Sequence, residues 1–189
     1  MRSDVCVGQK WLACLLLLCG AVSSAAAQTK PLSPGTAKTS WAQLPPSAQV
    51  KISEAIGRDQ APYHALAIPK GFQLKDPRSS LQAEVTRQGV SVRSGAAASW
   101  SFKLDAYGNG EKLRAVAAAG PQASGNRVEY RRGALVEWYV NGPSGLEQGF
   151  TLAKAPARGG SGTLTLALAL SGDSTPVVDA SNTSVVSIK

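Results

Sequence analysis

Large apolar side chains in this chain recur at every second position, not every third or fourth, and that period constrains the fold more than any other feature. In Trp100-Ser101-Phe102-Lys103-Leu104-Asp105-Ala106 apolar and polar residues alternate, as on a half-buried strand whose successive side chains point to opposite faces. Val128 and Tyr130 alternate with Arg127, Glu129 and Arg131, Gly133 offers a turn, and Val136, Trp138 and Val140 resume the rhythm against Glu137 and Tyr139. This predicts a hairpin with Trp138 inward and Tyr139 outward. Asn141-Gly142-Pro143-Ser144-Gly145 is the next break, before a strand over 146–152. Leu164, Leu166, Leu168 and Leu170 form the longest regular alternation and predict a second sheet face. Shorter strand candidates lie at 63–68, 81–85, 89–93, 113–117 and 185–188. The expected fold is all-β, an antiparallel two-sheet sandwich-like domain with a short helix at its start. A parallel α/β sheet would need crossover helices for which no pattern exists.

The amino terminus has a different logic. Arg2 and Lys10 flank a charged stretch that leads into Trp11-Leu12-Ala13-Cys14-Leu15-Leu16-Leu17-Leu18-Cys19, an apolar run of about a dozen residues, whereas a bilayer-spanning helix needs ~20. Ala25-Ala26-Ala27 before Gln28 offers small residues for a signal peptidase. Residues 1–27 are therefore expected to be a cleavable leader, which places the chain in an extracellular, cell-surface or periplasmic compartment with no transmembrane anchor after cleavage. A lipoprotein signal is disfavoured because Leu18, not a small residue, precedes Cys19. All three cysteines, Cys6, Cys14 and Cys19, fall inside the leader, so the processed chain has no disulfide, thiolate metal site or cysteine nucleophile. Residues 28–46, with Pro31, Pro34, Pro45 and Pro46, predict a Pro/Ser/Thr-rich linker. Ser47 is placed to cap a helix through Ile56, with Val50, Ile52, Ala55 and Ile56 as its apolar face and Gly57 to end it. Residues 47–189 are the β-rich domain. It is expected to be cut short at its carboxyl end, since the chain stops at Lys189 directly after the strand-like Ser184-Val185-Val186-Ser187-Ile188.

Three stretches carry a family resemblance: Gly57-Arg58-Asp59 with Tyr63-His64-Ala65; the block from Gly125-Asn126-Arg127 through Asn141-Gly142-Pro143 and on to Gly145-Leu146-Glu147-Gln148-Gly149-Phe150-Thr151-Leu152; and Leu164 to Asp173. Together they resemble the amino-terminal module of large bacterial exported proteins that carry FG-GAP repeats. The resemblance implies a chain that continues through more β structure into propeller-like, integrin-type repeats on a secreted or surface protein. None of those repeats is present here, and no catalytic residue carries over from the family.

The chemistry-bearing residues are few. His64 is the single histidine, which excludes a zinc site built on two or three imidazoles. A serine triad would have to use it too, and Gly142-Pro143-Ser144-Gly145-Leu146 ends on leucine where a nucleophile elbow needs glycine. Asp105 to Glu111 alternates oxygen ligands with glycines but lacks EF-hand spacing, and a turn explains it better. Asn182-Thr183-Ser184 fits a glycosylation acceptor but carries no weight beside the resemblance to bacterial proteins. Glu137 with Glu129 or Glu147 could flank a sugar as paired carboxylates, but on the polar side of strands they are better explained as partners of Arg127, Arg131 or Arg132. Trp and Tyr on an exposed sheet face could stack on a pyranose ring, though Trp100, Phe102 and Trp138 fall on the expected core side.

The formal charge of +8 drops by one with the leader, which takes Arg2, Lys10 and Asp4. Export makes nucleic acid an unsuitable partner for this charge and leaves cell-surface glycans or proteins. The surface best placed for such a partner is Arg127, Arg131, Arg132, Glu137 and Tyr139. No cofactor is implied. The expected function is a non-catalytic, structural or adhesive module, with a carbohydrate-binding or glycoside hydrolase-like protein as the alternative.

Overall fold

Period-two alternation is converted into antiparallel ladders wherever a turn is short enough to bring neighbouring stretches together. The computed structural model describes residues 4–6, 40–95, 99–154, 163–172, 176–178 and 186–188. The helix α1 (Pro46–Asp59) is followed by β2 (Leu66–Ile68), β3 (Gly71–Lys75), β4 (Leu81–Thr86), β5 (Gly89–Ser94), β6 (Ser99–Asn109) and β7 (Lys112–Ala115). Then come β8 (Pro121–Ser124), β9 (Arg127–Arg132), β10 (Leu135–Gly142), β11 (Gly145–Leu152), β12 (Leu164–Gly172), β13 (Pro176–Val178) and β14 (Val186–Ile188). Ahead of them all, β1 (Asp4–Cys6), inside the expected leader, lies against Thr165–Ala167. The large sheet runs β1-β12-β6-β5-β4-β3-β2, with β7 also on β6, and the small sheet runs β11-β10-β9-β8. β13 and β14 make a separate two-stranded ladder. All of the pairings are antiparallel, so the expected all-β, two-sheet architecture is the observed one.

β6 is the spine of the large sheet. It pairs with β12 from Trp100 to Asn109, while its other edge is shared between β5, at Ser99–Phe102, and β7, at Ala106–Asn109. The handover occurs at Asp105. There the β12 register jumps, Ala167 facing Ala106 but Leu168 facing Leu104, and the Asp105 carbonyl accepts the Val116 amide at 2.9 Å. One extra residue bends the strand and lets it serve two partners.

The two inner faces meet in one core. Leu74, Ala83, Val85, Val90, Val92 and Phe102 come from the large sheet, and Val128, Tyr130 and Tyr139 from the small one. Phe102 and Tyr139 approach across the interface with ring centroids 5.9 Å apart, and Tyr130 meets Tyr139 edge-on at 6.2 Å. Face-to-face sheets that interdigitate in this way form a sandwich.

Several expectations change. The helix starts at Pro46, a residue suited to the first helical position, and runs two residues past Gly57. Gly57 does not end it. Its buried residues are Ser53 and Gly57, and Ile52 is exposed, so the helix docks by its small side chains instead of the apolar stripe. A Cβ on Gly57 would stand 2.6 Å from Asn126 Nδ2 and closer still to the Asn141 carbonyl oxygen. The break after Val140 is shorter than expected: β10 continues through Gly142, and only Pro143 and Ser144 turn. The Leu164–Leu170 alternation is not a second sheet face. β12 lies beside β6 in the large sheet, where Leu168 packs on the core and Leu170 is exposed. Strands β3 and β8 were not among the candidates. The linker up to residue 39, residues 7–27 of the leader and Asn182-Thr183-Ser184 lie outside the described residues.

Candidate functional site

The β9–β10 hairpin decides where each candidate residue goes. Arg132 pairs with Leu135 across the two-residue turn Gly133-Ala134, and Gly133 takes the positive φ of 71° that such a turn demands. Every rung then joins residues of opposite parity, so the even-numbered residues of β9 face the odd-numbered ones of β10, with Glu137 opposite Tyr130 and Tyr139 opposite Val128. Because Val128 and Tyr130 face the core, Glu137 and Tyr139 do too. The expectation of Tyr139 and Glu137 outward and Trp138 inward is therefore reversed, and the five candidates split between two faces: Arg132, Glu137 and Tyr139 between the sheets, Arg127 and Arg131 outside.

On the inner side the side chains form a closed polar network. Glu137 is 1% exposed. Its Oε1 accepts the Tyr139 hydroxyl at 2.6 Å and Gln148 Nε2 at 3.3 Å, and its Oε2 accepts Arg132 Nη2 at 3.2 Å. Gln148 Nε2 also donates to the Tyr139 hydroxyl oxygen at 2.8 Å. Arg132 Nη1 donates to the Ala117 carbonyl at 2.6 Å, and its guanidinium lies 4.9 Å from the centre of the Tyr130 ring. Arg132 Nε has no hydrogen-bond partner among the described residues. Burial, followed by the neighbouring Glu137 carboxylate, pushes the Tyr139 phenol far above its ordinary pKa, and the same two causes in the same order raise Tyr130. Both phenols are thus fixed as neutral donors. Tyr130 uses its hydroxyl to cross between the sheets, 2.6 Å from the Thr86 carbonyl and 3.2 Å from that of Gly89.

The outer side is more open. Trp138 lies over Gly149 of the next strand, where no other residue leaves room for the indole. Its Nε1 donates to Thr151 at 3.2 Å, and the Arg127 guanidinium sits 4.5 Å above the ring. Glu129 accepts Arg127 at 2.7 Å and Arg131 at 2.6 Å. Glu147 lies beside α1. Its carboxyl is raised above the usual range by partial burial and then by the Glu54 carboxylate, against the opposing pull of Lys51 and Arg127.

Asn141, expected only as part of a turn, and Asn126, to which no structural role was assigned from the sequence, prove central. Asn141 Nδ2 donates to the carbonyls of Tyr63 at 3.0 Å and Lys75 at 2.7 Å. Asn126 Nδ2 reaches Asn141 O at 2.7 Å and Glu54 O at 3.3 Å. Together they fasten helix, connecting turn and both sheets. Their signal in the sequence was the pairing of each asparagine with a glycine, which reads equally well as a simple turn.

His64 is half-buried, its Nε2 2.9 Å from the Arg58 carbonyl. Among the described residues no group of three or more His, Cys, Asp or Glu is placed to hold a metal ion, and no helix is long and apolar enough to cross a membrane. No protein-family model, curated protein or solved structure matches this chain.

Proposed function

We propose that this chain is a non-catalytic module of an exported, secreted or cell-surface protein of the FG-GAP repeat type, with a structural or adhesive role. The observation that carries the reading is the saturation of Glu137. Both carboxylate oxygens are engaged, by Tyr139, Gln148 and Arg132, in a space closed by two sheets. A general acid or nucleophile must reach a substrate atom, whereas a carboxylate that holds a guanidinium and a phenol in place acts as a strut. Glu129, a carboxylate on the outer face, is occupied by two arginines.

The alternative, a carbohydrate-binding or glycoside hydrolase-like protein, draws on the same outer face. A pyranose seeking Trp138 would have to displace Arg127 from the ring, which favours the structural reading. The test uses aryl α- and β-glycosides with the full chain and with Glu137→Gln. Turnover is expected at buffer background for both, with a lower melting temperature for the variant. Hydrolysis by the parent that the folded variant loses would overturn the proposal. Export is tested separately, by expression with the native leader and sequencing of the amino terminus. Recovery of a chain beginning at Gln28 outside the cytosol is expected, and an intact cytosolic chain would count against it.

A further inference from the structure

At one end of the sandwich three loops converge on a notch of about 520 Å³. Two of them are the adjacent hairpin turns of the large sheet, Pro69-Lys70 between β2 and β3 and Arg87-Gln88 between β4 and β5. The third is Gly120-Pro121, at the start of β8 in the small sheet. The β3–β4 ladder ends with Gly71 opposite Thr86, so the next rung outward sets Lys70 beside Arg87. Like charges at facing positions repel, and the notch has no carboxylate in its lining to separate them. Neither side chain makes an ion pair or side-chain hydrogen bond among the described residues. By contrast, Arg127, Arg131 and Arg132 all have acidic partners.

Arg87 is exposed and lies beside Gly120. A Cβ on Gly120 would lie 3.4 Å from its Nε and 3.6 Å from its Nη2, ordinary contact distances, so the guanidinium rests beside the Gly120 backbone. Gly71 is confined, with the Val85 carbonyl and Thr86 Cα against the position of its missing Cβ. The turn that carries Lys70 therefore sits close on β4. Two exposed cations, one beside Gly120 and one on a turn close to β4, line a concave site at the loop end of a sandwich, where such folds carry their recognition surfaces.

We propose that this notch is an oxyanion site whose ligand is a phosphate monoester, with Arg87 supplying the planar fork and Lys70 the point charge. A phosphate monoester carries about −1.5 to −2 near neutral pH, which two cations without an acidic partner among the described residues match better than they match a singly charged carboxylate. The site is separate from Glu137, and neither proposal depends on the other.

The test is calorimetric titration of the full chain at low ionic strength with inorganic phosphate, glucose 6-phosphate and glucose. Both phosphates are expected to bind and glucose not to bind. Tighter binding of the sugar phosphate identifies an ester on a sugar as the ligand, and equal binding identifies the free oxyanion. Arg87→Ala and Lys70→Ala are each expected to weaken binding roughly fivefold, since one exposed charge pair contributes up to about 1 kcal/mol. Arg131→Ala is the control and should leave it unchanged. Affinity should also fall between pH 7 and pH 5, as the ligand gains its second proton near pH 6. No heat with either phosphate, or binding that survives both the Arg87 and the Lys70 variants, overturns the proposal.

Discussion

The two sheets present inner faces of different chemistry. The large sheet buries Leu74, Ala83, Val85, Val90, Val92 and Phe102, a face that any well-shaped apolar partner could satisfy. The small sheet answers with Tyr130, Tyr139 and Asn141, and with Glu137 held by Arg132. Apolar burial is non-directional. A buried polar group is tolerated only with its partners in place. The difference teaches that the large sheet supplies most of the driving force, while the small sheet fixes one relative placement of the two.

Substitutions can break that comparison, beginning where the largest effect is expected. Glu137→Ala leaves Arg132 buried without its counter-ion and removes the acceptor of Tyr139, so thermal or denaturant unfolding should show a loss of about 4 kcal/mol. The double variant Glu137→Met/Arg132→Met should recover most of that loss, because an apolar pair of similar size needs no partners. If it does not, the network supplies stability as well as placement. Leu74→Ala, on the apolar side, should cost about 3 kcal/mol from lost transfer energy and a partly relaxed cavity. A loss exceeding that of Glu137→Ala would reverse the ranking of the two faces. Gly57→Ala forces a methyl group onto the Asn141 carbonyl and should cost about 2 kcal/mol in the same assay, despite the better helix propensity of alanine.

Tyr130→Phe deletes only the hydroxyl that joins small sheet to large and should cost about 1 kcal/mol. The smallest effect is expected at Glu147. Its folded-state pKa is raised, so its contribution to stability is fully present below the unfolded carboxylate pKa and is lost as pH rises through the folded one. Glu147→Gln should therefore melt progressively higher than the parent as pH increases from 4 to 7. A constant difference across that range would place the Glu54–Glu147 repulsion outside the folding equilibrium.

The fold class was legible because alternation reports a half-buried strand without reference to what covers it. The phase of β10 was not legible. Val136, Trp138 and Val140 are the more apolar set, and reading them inward along with Val128 and Tyr130 requires a connection with an odd number of residues. Gly133-Ala134 is a two-residue turn, so loop length overrides hydrophobicity, and Trp138 finds shelter outside only because Gly149 lies beneath it. The arginine–glutamate pairing was read correctly as chemistry and wrongly as an open surface. Gly57 was misjudged for a related reason: a glycine near a helix end is usually a stop signal, and its use as a contact becomes visible only once Asn126 and Asn141 stand against it. Lys70 and Arg87 are seventeen positions apart, and only the β3–β4 register reveals them as neighbours.

The two inter-sheet fastenings have a mechanical consequence. Asn141 holds Lys75 at one end of β3, and Tyr130 holds Thr86, across from Gly71, at the other. The anchor points are separated by most of a five-residue strand, about 13 Å at the usual rise. A force pulling one sheet lengthwise over the other loads both anchors at once, so the layers resist sliding as a joint with two rivets does: shear has to break them together, while peeling from an edge could take them one at a time.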